Sequence, residues 1–388
     1  MSKRIVSRTV LLLSLVSLCT DMASEMLYPI LPLYLKEIGF SVAAIGLLEG
    51  FAEALAGLSK GFFGTWSDNS GKRMPFVRWG YSLSAISKPM MALSSLLPWI
   101  FFARMLDRTG KGLRTGARDA VLTAESTPAT RARVFGFHRS LDTAGAMIGP
   151  AIALLYLYCY PNQYRDLFLV AFLPGIAAVI LSLIIKEQKT KHVASRKYPS
   201  FKAFYQYWIS SPRAYKKLTG ALLLFALFNS SDVLLLLRMK ETGINDRYLV
   251  GVYIFYNAVY AAFAYPAGVL ADRIGLKKIF TGGLFLFVIV YAGMAHGGDI
   301  YLYACLFLLY GIYAAATEGV SKAWISSLVA KENIAAATGT LSGFQSIASL
   351  VASALAGFLW LYAGAVVTFL SSALVTLLVI IYIHNKTE

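Results

Sequence analysis

Cysteine, histidine and charge are all scarce in this chain. Its 388 residues include three cysteines and four histidines. Cys19, Cys159 and Cys305 each fall inside an apolar run, so neither a disulfide framework nor a cysteine-based zinc site is indicated. No Walker-type phosphate loop, metal-ligand cluster or nucleophile constellation occurs. That argues against ATP hydrolysis, a metal cofactor and enzymatic chemistry. Charged residues make up 14% and hydrophobic residues 57%, far from the balance of a soluble domain. Acids are the scarcer sign, 20 against 36 Lys and Arg, for a net charge of +16.

Long apolar runs take the place of a soluble core. Twelve segments recur near 10–35, 42–66, 75–97, 99–122, 133–159, 165–186, 218–239, 248–271, 279–297, 300–323, 334–362 and 364–384. Each is long enough to cross roughly 30 Å of hydrocarbon as a helix. The longest gap, Lys186 to Lys217, divides them six and six. The expected organisation is therefore 1–186, a linker at 187–217, and 218–388, all helical and membrane-embedded. Lys3-Arg4 before an apolar run resembles a secretory leader, but the run continues to Leu35 and no A-x-A site ends it. An uncleaved first helix is expected. Asn229-Ser-Ser and Asn385-Lys-Thr match the glycosylation pattern, but one lies in a membrane segment and the other on the inner side.

The excess positive charge does not read as a nucleic-acid surface. With the N-terminus inside, Lys3, Arg4, Arg8, Lys72, Arg73, Arg131, Arg133, Arg273, Lys277, Lys278, Lys331 and Lys386 lie on inner loops. The linker adds nine bases from Lys186 to Lys217 against the single acid Glu187. The outer loops hold chiefly Lys36, Arg165, Lys240 and Arg247. This asymmetry places both termini in the cytoplasm, and a bacterial inner membrane is expected. Phe201, Phe204, Tyr205, Tyr207, Trp208 and Ile209 interleave with linker bases. They predict a short helix on the inner leaflet, with a plain tether as the alternative.

One short pattern occurs twice, 204 residues apart. Gly64-Thr-Trp-Ser-Asp68-Asn-Ser-Gly71-Lys72-Arg73 is followed in the second half by Gly268-Val-Leu-Ala-Asp272-Arg273-Ile-Gly275-Leu-Lys277-Lys278. Each copy forms a polar turn between apolar segments, and two copies half a chain apart indicate a duplicated unit. The pair resembles the signature loops between helices 2 and 3, and 8 and 9, of the major facilitator superfamily (MFS). That resemblance implies two six-helix bundles related by pseudo-two-fold symmetry, each built from inverted three-helix repeats, rocking around a central site. Asp68 and Asp272 would close an inner gate by capping neighbouring helix ends and pairing with bases, with Arg114 and Arg118 as candidates.

Charges inside the apolar segments are costly unless paired or hydrated. Asp21 and Glu25 lie one turn apart in the first segment, Glu49 and Glu53 in the second. Arg78 and Lys88 lie in the third. In the fourth, Arg104, Arg108, Lys111, Arg114 and Arg118 recur at helical period with Asp107 beside them. His138, Arg139 and Asp142 follow in the fifth, Asp232 and Arg238 in the seventh, Glu318 and Lys322 in the tenth. At about 1.5 Å per residue, Asp21 and Arg108 reach similar depth, as do Glu25 and Arg104. A ladder of those two pairs is expected. Asp21, Glu25, Glu49, Glu53 and Asp142 are proton-coupling candidates; Arg104, Arg108, Lys111 and Arg139 are anion contacts. Bracing of the bundle by the same charges is the alternative.

Arg108-Thr-Gly-Lys111-Gly112 resembles the family's second motif, associated with proton transfer, although Lys111 replaces the usual Gln and Arg104 an apolar residue. Gly136, Gly145, Gly149 and Pro150 resemble the motif of drug/proton antiporters, with glycine packing of no directional meaning as the alternative. Tyr253, Tyr256, Asn257 and Tyr260, with Tyr303, Phe307, Tyr310 and Tyr313, form aromatic stripes that face lipid, pack internally or line the cavity. A cavity charged on one side and aromatic on the other suits an amphiphilic or anionic organic solute, with His138, Asp232, Tyr256, Tyr310 and Glu318 as further contacts. The expectation is a monomeric secondary active transporter in the lipid bilayer, powered by a proton gradient without a bound cofactor, with export favoured. Uptake of an anionic metal chelate such as a siderophore, or a non-transporting receptor on the same fold, are the alternatives.

Overall fold

The computed structural model describes residues 6–28, 30–40, 42–161, 163–186, 203–229, 232–244 and 246–386. The side chains of 32, 33, 36, 42–47, 49, 50, 54, 203–205, 233, 246, 247, 250, 353 and 386 are outside that description. The expectations for Lys3, Arg4, Lys36, Glu49, Arg247, Lys386 and the bases of 187–202 thus lie outside the described residues, as do those for Phe201, Phe204 and Tyr205.

The described chain is helical, with no strand among the described residues. The helices are α1 (Arg8–Leu27), α2 (Leu31–Glu37), α3 (Val42–Ser70), α4 (Met74–Leu93), α5 (Leu97–Ala124), α6 (Arg131–Cys159), α7 (Tyr164–Ile184), α8 (Ala203–Ser210), α9 (Arg213–Phe228), α10 (Asp232–Glu241), α11 (Asp246–Ile274), α12 (Leu276–His296), α13 (Ile300–Ser327) and α14 (Ile334–Lys386). Every one of the twelve predicted segments coincides with helix. Among the described residues seven helices are long and apolar enough to cross a membrane by length and composition. The long helices α3, α4 and α5 fall outside that set and carry much of the intramembrane charge.

Three local features follow from chemistry. The predicted segment 10–35 is divided between α1 and α2, with Pro29 in the intervening sequence; proline lacks the amide a continuous helix needs. Segment 218–239 is likewise divided between α9 and α10, α9 ending at Asn229, a residue type whose side chain competes for backbone hydrogen bonds. Within α14, Gly364 at φ 82° separates the two arms that the sequence presents as separate segments.

Two compact units emerge. Unit 1 holds Met1–Thr127, Leu141–Ser210 and Val329–Gly343; unit 2 holds Pro128–Ser140, Ser211–Leu328 and Phe344–Glu388. They differ from the sequence halves at two places. The start of α6 belongs with unit 2, and the start of α14, with the single 3₁₀ turn Lys331–Asn333 before it, belongs with unit 1. In unit 1, α5 packs on α3 and α4, and α7 on α1 and α4. The linker helix expected from its aromatic residues is α8, seated on α3. In unit 2, α13 packs on α11 and α12.

Candidate functional site

The duplicated turns are two versions of one device. In unit 1, α3 runs through Gly64 and Asp68 and reverses at Gly71, whose φ of 65° suits glycine. The Asp68 carboxylate accepts a 2.7 Å hydrogen bond from the Ala336 amide in the first turn of α14. A helix start has unsatisfied N–H groups and attracts negative charge. Arg73 lies 3.5 Å from the same carboxylate and donates to the carbonyls of Ala120 (3.2 Å) and Lys331 (3.1 Å). Gly64 permits the approach, since a Cβ there would collide with the Ala335 carbonyl. Asp68 lies beyond the apolar span 42–66, and burial pushes its carboxyl up to about 7 against the opposing pull of Arg73 and the α14 amides.

In unit 2, Asp272 accepts 2.9 Å bonds from the amides of Ala132 and Arg133, at the start of α6. Gly268 sits against the Ala132 carbonyl, and Gly275 turns the chain at φ 108°. The expectation of helix-end caps therefore describes both carboxylates, but the basic partners differ from those expected. Asp68 pairs with Arg73, and Asp272 with Arg133 at 3.6 Å. Arg114 instead donates to Ser84 (2.6 Å) and stacks over Tyr81, and Arg118 pairs with Asp119 at 3.1 Å. This end of α5 does adjoin the turn, through the Ala120 carbonyl, but the two guanidinium groups are engaged with Ser84, Tyr81 and Asp119. Lys72 and Arg273 are exposed.

The intramembrane charges of unit 1 form a network around α5. Lys88 from α4 lies 2.8 Å from Asp107, which Arg104 approaches at 3.4 Å. Arg108 pairs with Glu53 of α3 at 3.0 Å. The expected ladder is replaced in this arrangement. Arg108 meets Glu53 and Arg104 meets Asp107, whereas Asp21 lies beside the Asp142 carboxyl. Equal depth says nothing of direction around a helix, which is what decides the partner.

Two carboxyl groups, Asp21 and Asp142, thus come together inside the apolar segments, where like charges are costly. Ser17, one turn before Asp21, donates to Asp142 and accepts from Arg118 at 3.3 Å. Sequence reading missed Ser17, although its i−4 spacing to Asp21 was a usable signal. Lys111 is exposed and acts electrostatically on Asp21, Glu25 and Glu53. Glu25 also lies within reach of Arg108 and Arg104. Small residues allow this crowding: a Cβ on Gly145 would strike the Leu18 carbonyl, and one on Gly149 would sit 2.5 Å from the Met22 carbonyl. Gly136 serves a different neighbour, the Ala264 carbonyl of α11 in unit 2. The antiporter-like glycines are thus divided between two packing tasks, and α6 continues through Pro150.

Unit 2 contains the remaining candidates. Arg139 donates to Glu318 and, at 2.6 Å, to the Tyr260 hydroxyl. His138 is buried beside it in sequence. Tyr310 donates a 2.7 Å hydrogen bond to Asp232 at the start of α10. Tyr256 stacks on Tyr310 with ring centroids 5.0 Å apart, and Tyr313 does so at 5.3 Å. Tyr303, Phe307, Tyr310 and Tyr313 are all buried, which excludes the lipid-facing alternative for the α13 stripe.

The comparisons agree with this architecture. The sequence matches the family model described as Major Facilitator Superfamily over residues 13–256 and 218–386. An uncharacterised MFS-type transporter of Methanocaldococcus jannaschii is 34% identical over 365 residues, covering 92% of this chain and 89% of that protein. Quinolone resistance protein NorA of Staphylococcus aureus is 25% identical over 167 residues, 43% of this chain and 42% of its own. The crystal structure of the human organic anion transporter MFSD10 (TETRAN) superposes with a TM-score of 0.81 at 16% identity, covering 99% of this chain and 100% of that one. The E. coli fucose:proton symporter FucP does so at 0.80 and 13%, with the same coverage. At such identities these two structures speak to the fold alone. The chain belongs to the major facilitator superfamily and is a multi-pass membrane transporter.

Proposed function

We propose that this transporter is a proton-coupled secondary carrier that exports a small amphiphilic organic solute by alternating access. The observation that carries the reading is the Asp21–Asp142 carboxyl pair, which is joined through Ser17 to Arg118 inside the apolar segments. Carboxyls beside bases can release and regain a proton as their hydration changes, and coupling requires a group that does so. Glu25 and Glu53 are the supporting acids. In this reading Asp68 and Asp272 act as gates, because each cap joins a turn to the first residues of another helix. Export is favoured by the partial likeness to a quinolone resistance protein and by the α6 glycines packed on α1. Uptake of an anionic chelate has less support: of the four expected anion contacts Arg104, Arg108, Lys111 and Arg139, all but Lys111 have a carboxylate partner. By the distribution of bases, both termini lie in the cytoplasm, at a bacterial plasma membrane.

The test begins with a solute-stabilisation screen of purified protein, since a ligand raises the melting temperature by mass action. A hit is then followed in reconstituted vesicles under an imposed pH gradient. With one proton exchanged per solute, each pH unit supports about tenfold accumulation, the ratio equivalent to 1.4 kcal/mol. Asp142→Asn should abolish accumulation but retain solute exchange at equilibrium. Tenfold accumulation by that variant would remove the proton assignment.

A further inference from the structure

We infer that Asp232, with the tyrosines stacked around Tyr310, forms a binding site for a lipophilic organic cation. The inference rests on reading the chain as a carrier of small organic solutes, and it specifies the charge of that solute.

Lys88, Arg104, Arg108 and Arg118 of unit 1 each have a carboxylate partner, whereas among the described residues Asp232 has no basic one. Among the described residues the group acting on its carboxylate is the Tyr310 hydroxyl, and no lysine or arginine does so. Such a carboxylate within a membrane segment is costly unless a cation comes to it. Its setting is aromatic. Tyr310 lies between Tyr256 and Tyr313, stacked on both, and Asn229 donates to the Tyr313 hydroxyl at 3.3 Å. Tyr310 spends its hydroxyl proton on Asp232, which leaves electron-rich ring faces beside a negative charge. A quaternary or protonated centre shielded by apolar groups suits that combination, because ring faces attract cations most where water is excluded. A metal ion would require several oxygen ligands, and Asp232 supplies a single carboxylate. Asp232 is half-buried as a residue while Tyr256 and Tyr310 are buried, so the acid lies at the less buried end of the cluster. The first turn of α10 also favours an acid electrostatically. A purely structural role for Asp232 is therefore the reading to be tested against.

Equilibrium binding of tetraphenylphosphonium and of tetraphenylborate to the full-length purified protein makes that test. The two ions share size and shape and differ in sign. Tetraphenylphosphonium should bind at least about tenfold more tightly than tetraphenylborate. Asp232→Asn should weaken it by about tenfold or more and remove the preference, whereas Asp232→Glu should keep the preference. Equal affinity for the two ions, or an Asp232→Asn protein within about twofold of the parent, would overturn the proposal. Should Asp232→Asn lack a cooperative melting transition, the ion comparison on the parent and on Asp232→Glu still decides. Because only binding is read, failure here leaves the proton assignment standing. Conversely, an Asp142→Asn protein that loses coupling should still bind tetraphenylphosphonium.

Discussion

Titration of Asp68 should loosen the seat of α14 on α3 as pH rises. In the capped arrangement its carboxyl sits at about 7, whereas in water an aspartate titrates near 3.9. The capped arrangement therefore binds the proton more tightly than an uncapped one. Its advantage is fully present below pH 4 and is lost progressively as pH rises toward 7, beyond which the difference is constant. Between pH 5 and pH 7 linkage gives about 2.3 kcal/mol, or roughly a fiftyfold change in the uncapped fraction. Thr340 reports on this, being fully buried on α14 one residue beyond Gly339, which packs on the Lys60 carbonyl. In a background where Cys19, Cys159 and Cys305 are replaced by serine, the labelling rate of a Thr340→Cys protein measures how often the seat opens.

Asp68→Asn keeps an acceptor for the Ala336 amide but cannot titrate. The labelling rate with Asp68 divided by that with Asp68→Asn, taken at each pH, cancels the thiol's own ionisation. That ratio should rise about fiftyfold from pH 5 to pH 7. Asp68→Ala removes the acceptor and the partner of Arg73, at a cost of about 1–2 kcal/mol for the cap. It should label about tenfold faster than the parent at pH 5. Identical pH profiles with Asp or Asn at position 68 would show that seating of α14 does not depend on this carboxyl's charge.

Lys88→Met should destabilise the protein by about 3–5 kcal/mol, since Asp107 loses its closest partner in a buried site, while Lys88→Met with Asp107→Leu should recover part of that loss; denaturant titration of the three proteins checks the cycle. Gly149→Leu should lower the melting temperature and impair transport together, because the Met22 carbonyl already occupies the position of a Cβ. Thermal unfolding that leaves this variant unchanged would contradict the close approach of α1 and α6.

How much of this was legible depended on which physical quantity each feature requires. Segment number and position follow from hydropathy alone, and all twelve were readable. The turns were readable because a Gly, an Asp and a basic pair occur twice at one spacing. Their partners were not: Ala336 and Ala132 are ordinary alanines whose importance lies in being at helix starts. The pairing of Arg108 with Glu53 was hidden for a related reason. Depth follows from residue number, but azimuth depends on how neighbouring helices pack, and Gly80, Gly110 and Gly112 set that packing. The break between α1 and α2 was signalled by Pro29 and was nonetheless read as one continuous segment. The α13 tyrosines carried no signal separating a lipid face from an internal one, and burial alone decides it.

The network around α5 sorts its charges by what water can reach. Lys88, Arg104 and Asp107 are each no more than 8% exposed, as are Arg118 and Asp119. Buried pairs of this kind are held by the desolvation that separation would require, so they suit bracing. Arg108 is equally buried, but its partner Glu53 leaves nearly half its side chain exposed. Lys111 is exposed as well, among Asp21, Glu25 and Glu53. A cycle that moves protons must change the charge of groups that water meets in at least one conformation. On the proton-coupled reading proposed above, bracing and coupling fall to different members of one network. Lys88, Arg104, Asp107, Arg118 and Asp119 are then the frame, and neutralising Glu53 should alter coupling before it alters stability. Asp142, 3% exposed here, would meet water only in another conformation.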